Sequence, residues 1–168
     1  RAVEEQKIAV INLLGQSGYQ RVHLHNPFLL LNDLLEELSQ ETKIILVDFH
    51  ATTTAEKCTM FYFLDGKVTA VMGSHGKVLT ADAQILPGGT ATICGTGRTG
   101  GDYSVGGLEP EIEIRKFLTQ IHEQSKITWD NLQLQGVILE IDGNGKATSI
   151  ETIRIHCEDD HDRTRNSA

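Results

Sequence analysis

KIAVINLL at residues 7–14, NPFLLLNDLLEELS at 26–39 and KIILVDF at 43–49 determine the architecture. The first and third are short apolar runs rich in β-branched residues, the pattern of buried strands. Between them Leu31, Leu34, Leu35 and Leu38 recur at helical spacing, with Asp33, Glu36 and Glu37 on the other side. Asn26 is placed to cap that helix and Pro27 to open it, because the N–H that proline lacks is unpaired in a first turn anyway. Strand, helix and strand at this spacing make a βαβ unit, so the two strands are expected to run parallel.

The pattern continues downstream. Thr52, Thr53 and Thr54 offer caps for a helix over about 55–63, Asp65-Gly66 is a turn, and 67–72 reads as a third short strand. Residues 73–107 collect many of the glycines and read as loops, which a rigid scaffold commonly uses to carry function. An amphipathic helix is expected over 110–121, through Ile112, Ile114, Phe117, Leu118 and Ile121. Residues 132–141 and 148–156, joined by Asp142-Gly143-Asn144-Gly145, form a hairpin. The charged tail 158–168 is expected to fray. The fold class is therefore α/β, a layered mixed sheet with flanking helices, read as a single domain over 1–168.

Bulk properties bound the partners. The chain has 168 residues, an apolar fraction of 39%, and 15 Lys+Arg against 23 Asp+Glu, for a net charge of −8. That suits a folded globular protein and argues against nucleic-acid polymers or anionic membranes as partners. No apolar run approaches the ~20 residues of a membrane span. A local cationic pocket for a small phosphate remains compatible with the charge. Cys58, Cys94 and Cys157 are widely spaced and form no CxxC pair, so they read as packing residues in a reducing cytoplasm. The chain starts at Arg1 in a polar stretch without the features of a signal peptide, as a mature N-terminus or a cut through a longer protein would.

Two histidines stand out by position. His50 ends the strand in VDFH and His75 follows the next strand in VMGSHGK, and sites in open α/β sheets form just beyond the carboxyl ends of strands. Two imidazoles there can share one metal ion, or be ordinary loop histidines. Asp48 shares a strand face with His50, either orienting a histidine from behind or simply ending a strand as a capped polar residue. His23 and His25 read as a solvated loop pair, and His122 as a cation at a helix end. His156 and His161 lie in the acidic end, where metal binding would be adventitious. The run GTGRTGGD at 95–102 lacks the Lys-Ser/Thr ending of a Walker loop and does not match GxGxxG. It reads instead as a backbone nest, in which Arg98 offers a planar fork to a phosphate.

Longer strings carry a resemblance. KIAVINLLGQ, NPF before the leucine-rich helix, ILVDFHATTTAEK, VTAVMGSHGKVLTADAQILPGGTA and RTGGDYSVGG are similar to the YmdB-type metallophosphoesterases. These are calcineurin-like dinuclear phosphodiesterases, described as acting on cyclic nucleotides. The resemblance covers residues 7–157 and only the C-terminal part of such a protein. The family's GDVxG, GEN and GNH motifs, which carry an Asp, a Glu and an Asn as ligands and a His thought to be the proton donor, do not occur here. The resemblance implies divalent ions of the Fe, Mn or Zn type, with His50 and His75 among their ligands and a small phosphodiester or nucleotide as substrate.

The departures cluster at that site. Lys77 stands where the family has a third ligand His, Thr52 where it has the Glu after DFHA, Leu79 where it has Gln, and Cys94 to Gly100 where it has TDVGMTG. The family scheme uses one ion to lower the pKa of the attacking water and both to steady phosphoryl oxygens. A protonated lysine cannot ligate a cation, so one or even no ion is expected here. Three readings result: a divergent phosphoesterase whose 168 residues alone are inactive, a degenerate relative holding a phosphate-bearing ligand or protein partner, or a structural subunit. In the second reading Lys77 and Arg98 are the phosphate-binding candidates. A missing N-terminal part would leave a sheet edge or face for a second copy or a partner to cover.

Overall fold

The computed structural model describes residues 6–18 and 25–157. Within them the chain divides into two compact units where the sequence reading counts one domain. The first runs up to Gly97 and takes in Val137–Thr152; the second comprises Arg98–Gly136 and the strand residues from Ile153 onward. The expected frayed tail lies outside the described residues.

The first unit is built on a sheet of order β1-β2-β3-β5-β4. Strands β1 (Ile8–Leu14), β2 (Ile44–His50), β3 (Ala70–Ser74) and β5 (Ala91–Ile93) run parallel, and β4 (Gln84–Ile85) pairs antiparallel with β5. Helix α1 (Pro27–Glu41) connects β1 to β2, so the expected βαβ unit is present. The Asn26 side chain accepts from the Phe28 N–H at 2.9 Å, and Pro27 opens the helix. Helix α2 (Thr54–Leu64) starts at Thr53, whose hydroxyl accepts from the Glu56 N–H at 3.3 Å.

One sheet face packs on the helices. Ile45, Val47, Phe49 and Val71 bury there against Leu31 and Leu35 of α1 and Met60, Phe61 and Leu64 of α2. Phe28 meets both Phe49 and Phe63 edge-on, at 6.3 and 5.4 Å between ring centres. Alternation sends Asp48 and His50 to the opposite face. On that face Leu46 and Met72 pack with Ala70, Ala91, Ala147, Leu139 and Ile150. The turn Asp142–Gly145 is tied in by Thr69, whose buried hydroxyl donates to Gly145 O at 2.7 Å and accepts from Ile45 N–H at 3.1 Å.

Several expectations need correction. β1 is an edge strand, not a buried one: Ile11 and Leu13 are buried, while Val10 is 70% exposed. An apolar run shows that a strand forms, but its register alone leaves open whether the second face finds a partner. β3 spans 70–74 rather than 67–72. Residues 73–107 are not loop throughout. They hold β4, β5 and β6 (Thr99–Gly101), pieces of two or three residues that are too short to show a period.

The second unit contains β6 and α3 (Pro110–Thr119). α3 ends at Thr119 because Gln120 turns left-handed at φ 57°, so His122 lies beyond the helix and not at its end. Ile112 is buried, but Ile114, Phe117, Leu118 and Ile121 are exposed. β7 (Leu132–Ile141) and β8 (Ala147–His156) follow as the expected hairpin and complete a sheet of order β6-β7-β8.

Candidate functional site

The parallel register brings Leu14, His50 and Ser74 to the same level at the carboxyl ends of β1, β2 and β3. One residue further on, His75 leaves the sheet with φ 96°, and after Gly76 Lys77 has φ 55°. Residues other than glycine seldom adopt such angles, which cost on the order of 1–3 kcal/mol and gather at functional sites. The loop is held from its far side, where the Thr80 N–H donates to Gly95 O at 3.0 Å and the Thr96 N–H to Gly73 O at 3.3 Å.

A line of hydrogen bonds runs across the strand ends. Asn12 Nδ2 donates to Asp48 Oδ2 at 2.7 Å. The Ser74 hydroxyl donates to Asp48 Oδ1 at 2.8 Å. His50 Nδ1 lies 3.0 Å from Ser74 Oγ, and His75 Nδ1 lies 3.2 Å from His50 Nε2. The two imidazoles meet edge-on, with centroids 5.1 Å apart. Asp48 is linked to His50 through Ser74, whose hydroxyl oxygen lies within bonding distance of both. Ser74 escapes a reading of the sequence because a strand taken to end at 72 leaves it in a loop.

Behind this line, Cys94 directly follows β5. Lys57, a buried residue of α2, donates from Nζ to Cys94 O at 2.8 Å. The Cys94 N–H donates to Asp82, at 3.1 Å to Oδ2. Burial, followed by the neighbouring Asp82 carboxylate, pushes the Cys94 thiol up to about 12. Burial alone would raise Asp82, yet its hydrogen bonds from Cys94 and Thr80 hold it below the usual carboxylate range. Cys58 places its sulfur 4.0 Å from that of Cys94, and all three cysteines are free thiols.

The amino side of the site is also braced. Glu56 accepts from the Gln16 and Ser17 N–H groups at 2.7 and 3.1 Å. The Thr52 hydroxyl donates to Ser17 O, a neutral tie between the two segments.

Lys77 shares the loop with His75 and is exposed. Arg98 belongs to the second unit, where its Nη2 donates to Gly101 O at 2.7 Å and Ser104 Oγ at 2.9 Å. The run read as a nest is partly strand β6. His25 and His122 are exposed, and His156 Nε2 lies 3.2 Å from Gln133 Nε2. His23 and His161 lie outside the described residues.

The residues fit a divalent ion in part. His50 and His75 bring two ring nitrogens together, whereas each Asp48 oxygen already accepts a hydrogen bond. Among the described residues no group of three His, Cys, Asp or Glu side chains is placed to hold a metal. No helix among them is long and apolar enough to cross a membrane.

Comparison with solved structures agrees with this layout. A crystal structure described as a hypothetical protein from Thermus thermophilus superposes with a TM-score of 0.84 at 29% identity, covering 93% of this chain and 60% of that one. A crystal structure described as a novel phosphatase from Mycoplasma pneumoniae superposes with a TM-score of 0.80 at 38% identity, covering 88% and 52%. Scaffold and strand-end geometry together mark an α/β protein of the metallophosphoesterase-like class. The profile described as YmdB-like protein matches residues 1–153, and the chain belongs to that family. It is 38% identical over 157 residues to a Bacillus subtilis protein named 2',3'-cyclic-nucleotide 2'-phosphodiesterase, a match covering 93% of this chain and 58% of that protein. The chain therefore spans little more than half the length of these relatives.

Proposed function

We propose that the chain carries the His50–His75 part of a metal-assisted phosphodiesterase site acting on cyclic nucleotides, and that the 168 residues alone do not turn over. The observation that carries this reading is the line Asp48–Ser74–His50–His75 at the strand ends of a YmdB-like scaffold. His50 and His75 would hold a divalent ion of the Fe, Mn or Zn type through ring nitrogens. A bound ion supplies Lewis acidity toward a phosphodiester. Two imidazoles are fewer than a zinc-type site needs, so the chain's own residues bind weakly and leave the set of ligands incomplete.

A second reading keeps the scaffold without the reaction: a module binding a phosphate-bearing ligand. Lys77 favours it, because an ammonium two residues from His75 opposes a cation and attracts a phosphate. Calorimetric titration with Mn²⁺, compared with His50→Ala and His75→Ala, separates the two. Metal uptake abolished by both changes supports the first. Phosphate binding lost on Lys77→Ala, with no metal uptake, supports the second. Metal-dependent cleavage of a 2',3'-cyclic nucleotide by the chain alone would overturn the incomplete-site reading.

A further inference from the structure

We propose that Ser74 is a positioning residue that fixes the tautomer of His50, holding the proton on Nδ1 and leaving the Nε2 lone pair directed at His75. The assignment follows from counting protons along the line. An ionised carboxylate only accepts, and Asp48 takes one bond from Asn12 at Oδ2 and one from Ser74 at Oδ1. Ser74 has a single hydroxyl proton, spent on Asp48, so toward His50 its oxygen can only accept. Nδ1 of His50, 3.0 Å from that oxygen, must therefore carry a hydrogen. A neutral imidazole has one N–H, so Nε2 presents its lone pair, and His75 Nδ1 at 3.2 Å donates to it.

The arrangement has two consequences. His50 is set with Nε2, the nitrogen facing His75, unprotonated, as an imidazole ligand is when its other nitrogen is tied back. His75 covers that lone pair, so a cation must displace the His75 N–H first. The parallel register makes this possible by placing Ser74 directly beside His50 on the neighbouring strand. The inference rests on the proposed metal role of the pair only for its purpose; the tautomer itself is a property of the metal-free chain.

The test is a long-range proton–nitrogen spectrum of the histidines in the full metal-free chain, at a pH where His50 is neutral. The expected wild-type result is His50 with its proton on Nδ1. Ser74→Ala should release it to a mixture of tautomers, and Ser74→Thr, which keeps a hydroxyl, should restore the Nδ1–H form. Zn²⁺ affinity should fall about 10–100-fold in Ser74→Ala and recover in Ser74→Thr. A wild-type His50 protonated on Nε2 overturns the proposal whether or not the variants fold, and so does an unchanged tautomer in a folded Ser74→Ala. An Nδ1–H spectrum in a chain that takes up no Zn²⁺ refutes the metal reading and leaves this assignment standing.

Discussion

Gly73→Ala should be among the most damaging single-methyl additions in the molecule, while Gly76→Ala three residues away should be nearly silent. A Cβ at Gly73 would sit 2.3 Å from Cys94 O, 2.7 Å from its carbonyl carbon and 3.0 Å from its Cα. All three are backbone atoms, so no side chain can swing aside. Carbon and oxygen approach to about 3.3 Å at closest, so β3 and the end of β5 would have to part by roughly 1 Å. Overpacking of this kind costs about 1–3 kcal/mol. The same displacement pulls Cys94 O away from the buried Lys57 ammonium 2.8 Å distant, and a bond to a charged group is worth about 1.5–3 kcal/mol. A total of about 2.5–6 kcal/mol follows. With a urea slope of about 2 kcal/mol/M, the unfolding midpoint should fall by about 1.2–3 M. At Gly76 the added Cβ meets only Val78 at 3.9 Å, an ordinary contact, and the backbone is not left-handed there. Its midpoint should move by less than about 0.5 M. Equal midpoints for the two variants would refute the close approach of β3 to Cys94, and with it the brace behind the site.

Three further outcomes follow from named contacts. Thr69→Val should cost about 1–3 kcal/mol in urea unfolding, because it leaves Ile45 N–H and Gly145 O without the hydroxyl that joins them; a loss below about 0.5 kcal/mol would show that water replaces it. Iodoacetamide at about pH 8, followed by mass spectrometry, should label exposed Cys58 and Cys157 and spare Cys94, whose thiol is pushed up to about 12. Asp82 is held below the usual carboxylate range, so it contributes stability above its unfolded-state pKa that is lost as pH falls through its folded value. Asp82→Asn should therefore flatten the fall in stability below about pH 4, and an unchanged acid limb would exclude that contribution.

How much is readable from the residues alone varies with the physical signal behind each element. Asn26-Pro27 and the cluster Thr52–Thr54 carry capping chemistry in their own side chains; α1 starts at Pro27 as read, and of the three threonines Thr53 caps α2, which starts at Thr54 rather than about 55. The parallel βαβ unit and the hairpin around Asp142–Gly145 are likewise legible from period and turn residues. The placement of Asp48 and His50 on one face follows from a period of two. Ser74 is not legible, because its role depends on which residue of β3 lies beside His50, and register is a tertiary property. β5 is buried throughout, but three residues show no period. The stripe of α3 marks a face and not its cover: Phe117 is 84% exposed.

The metal-assisted reading of the strand ends depends on His50 and His75 acting as one cation-binding pair. Titrating Mn²⁺ into the full chain while following each histidine ring by NMR puts that to the test. The His50 and His75 signals are expected to broaden together, in step with metal uptake, and His75→Ala is expected to abolish the broadening of His50. Saturating uptake with both rings still sharp, or broadening of His50 that survives His75→Ala unchanged, would contradict the pairing.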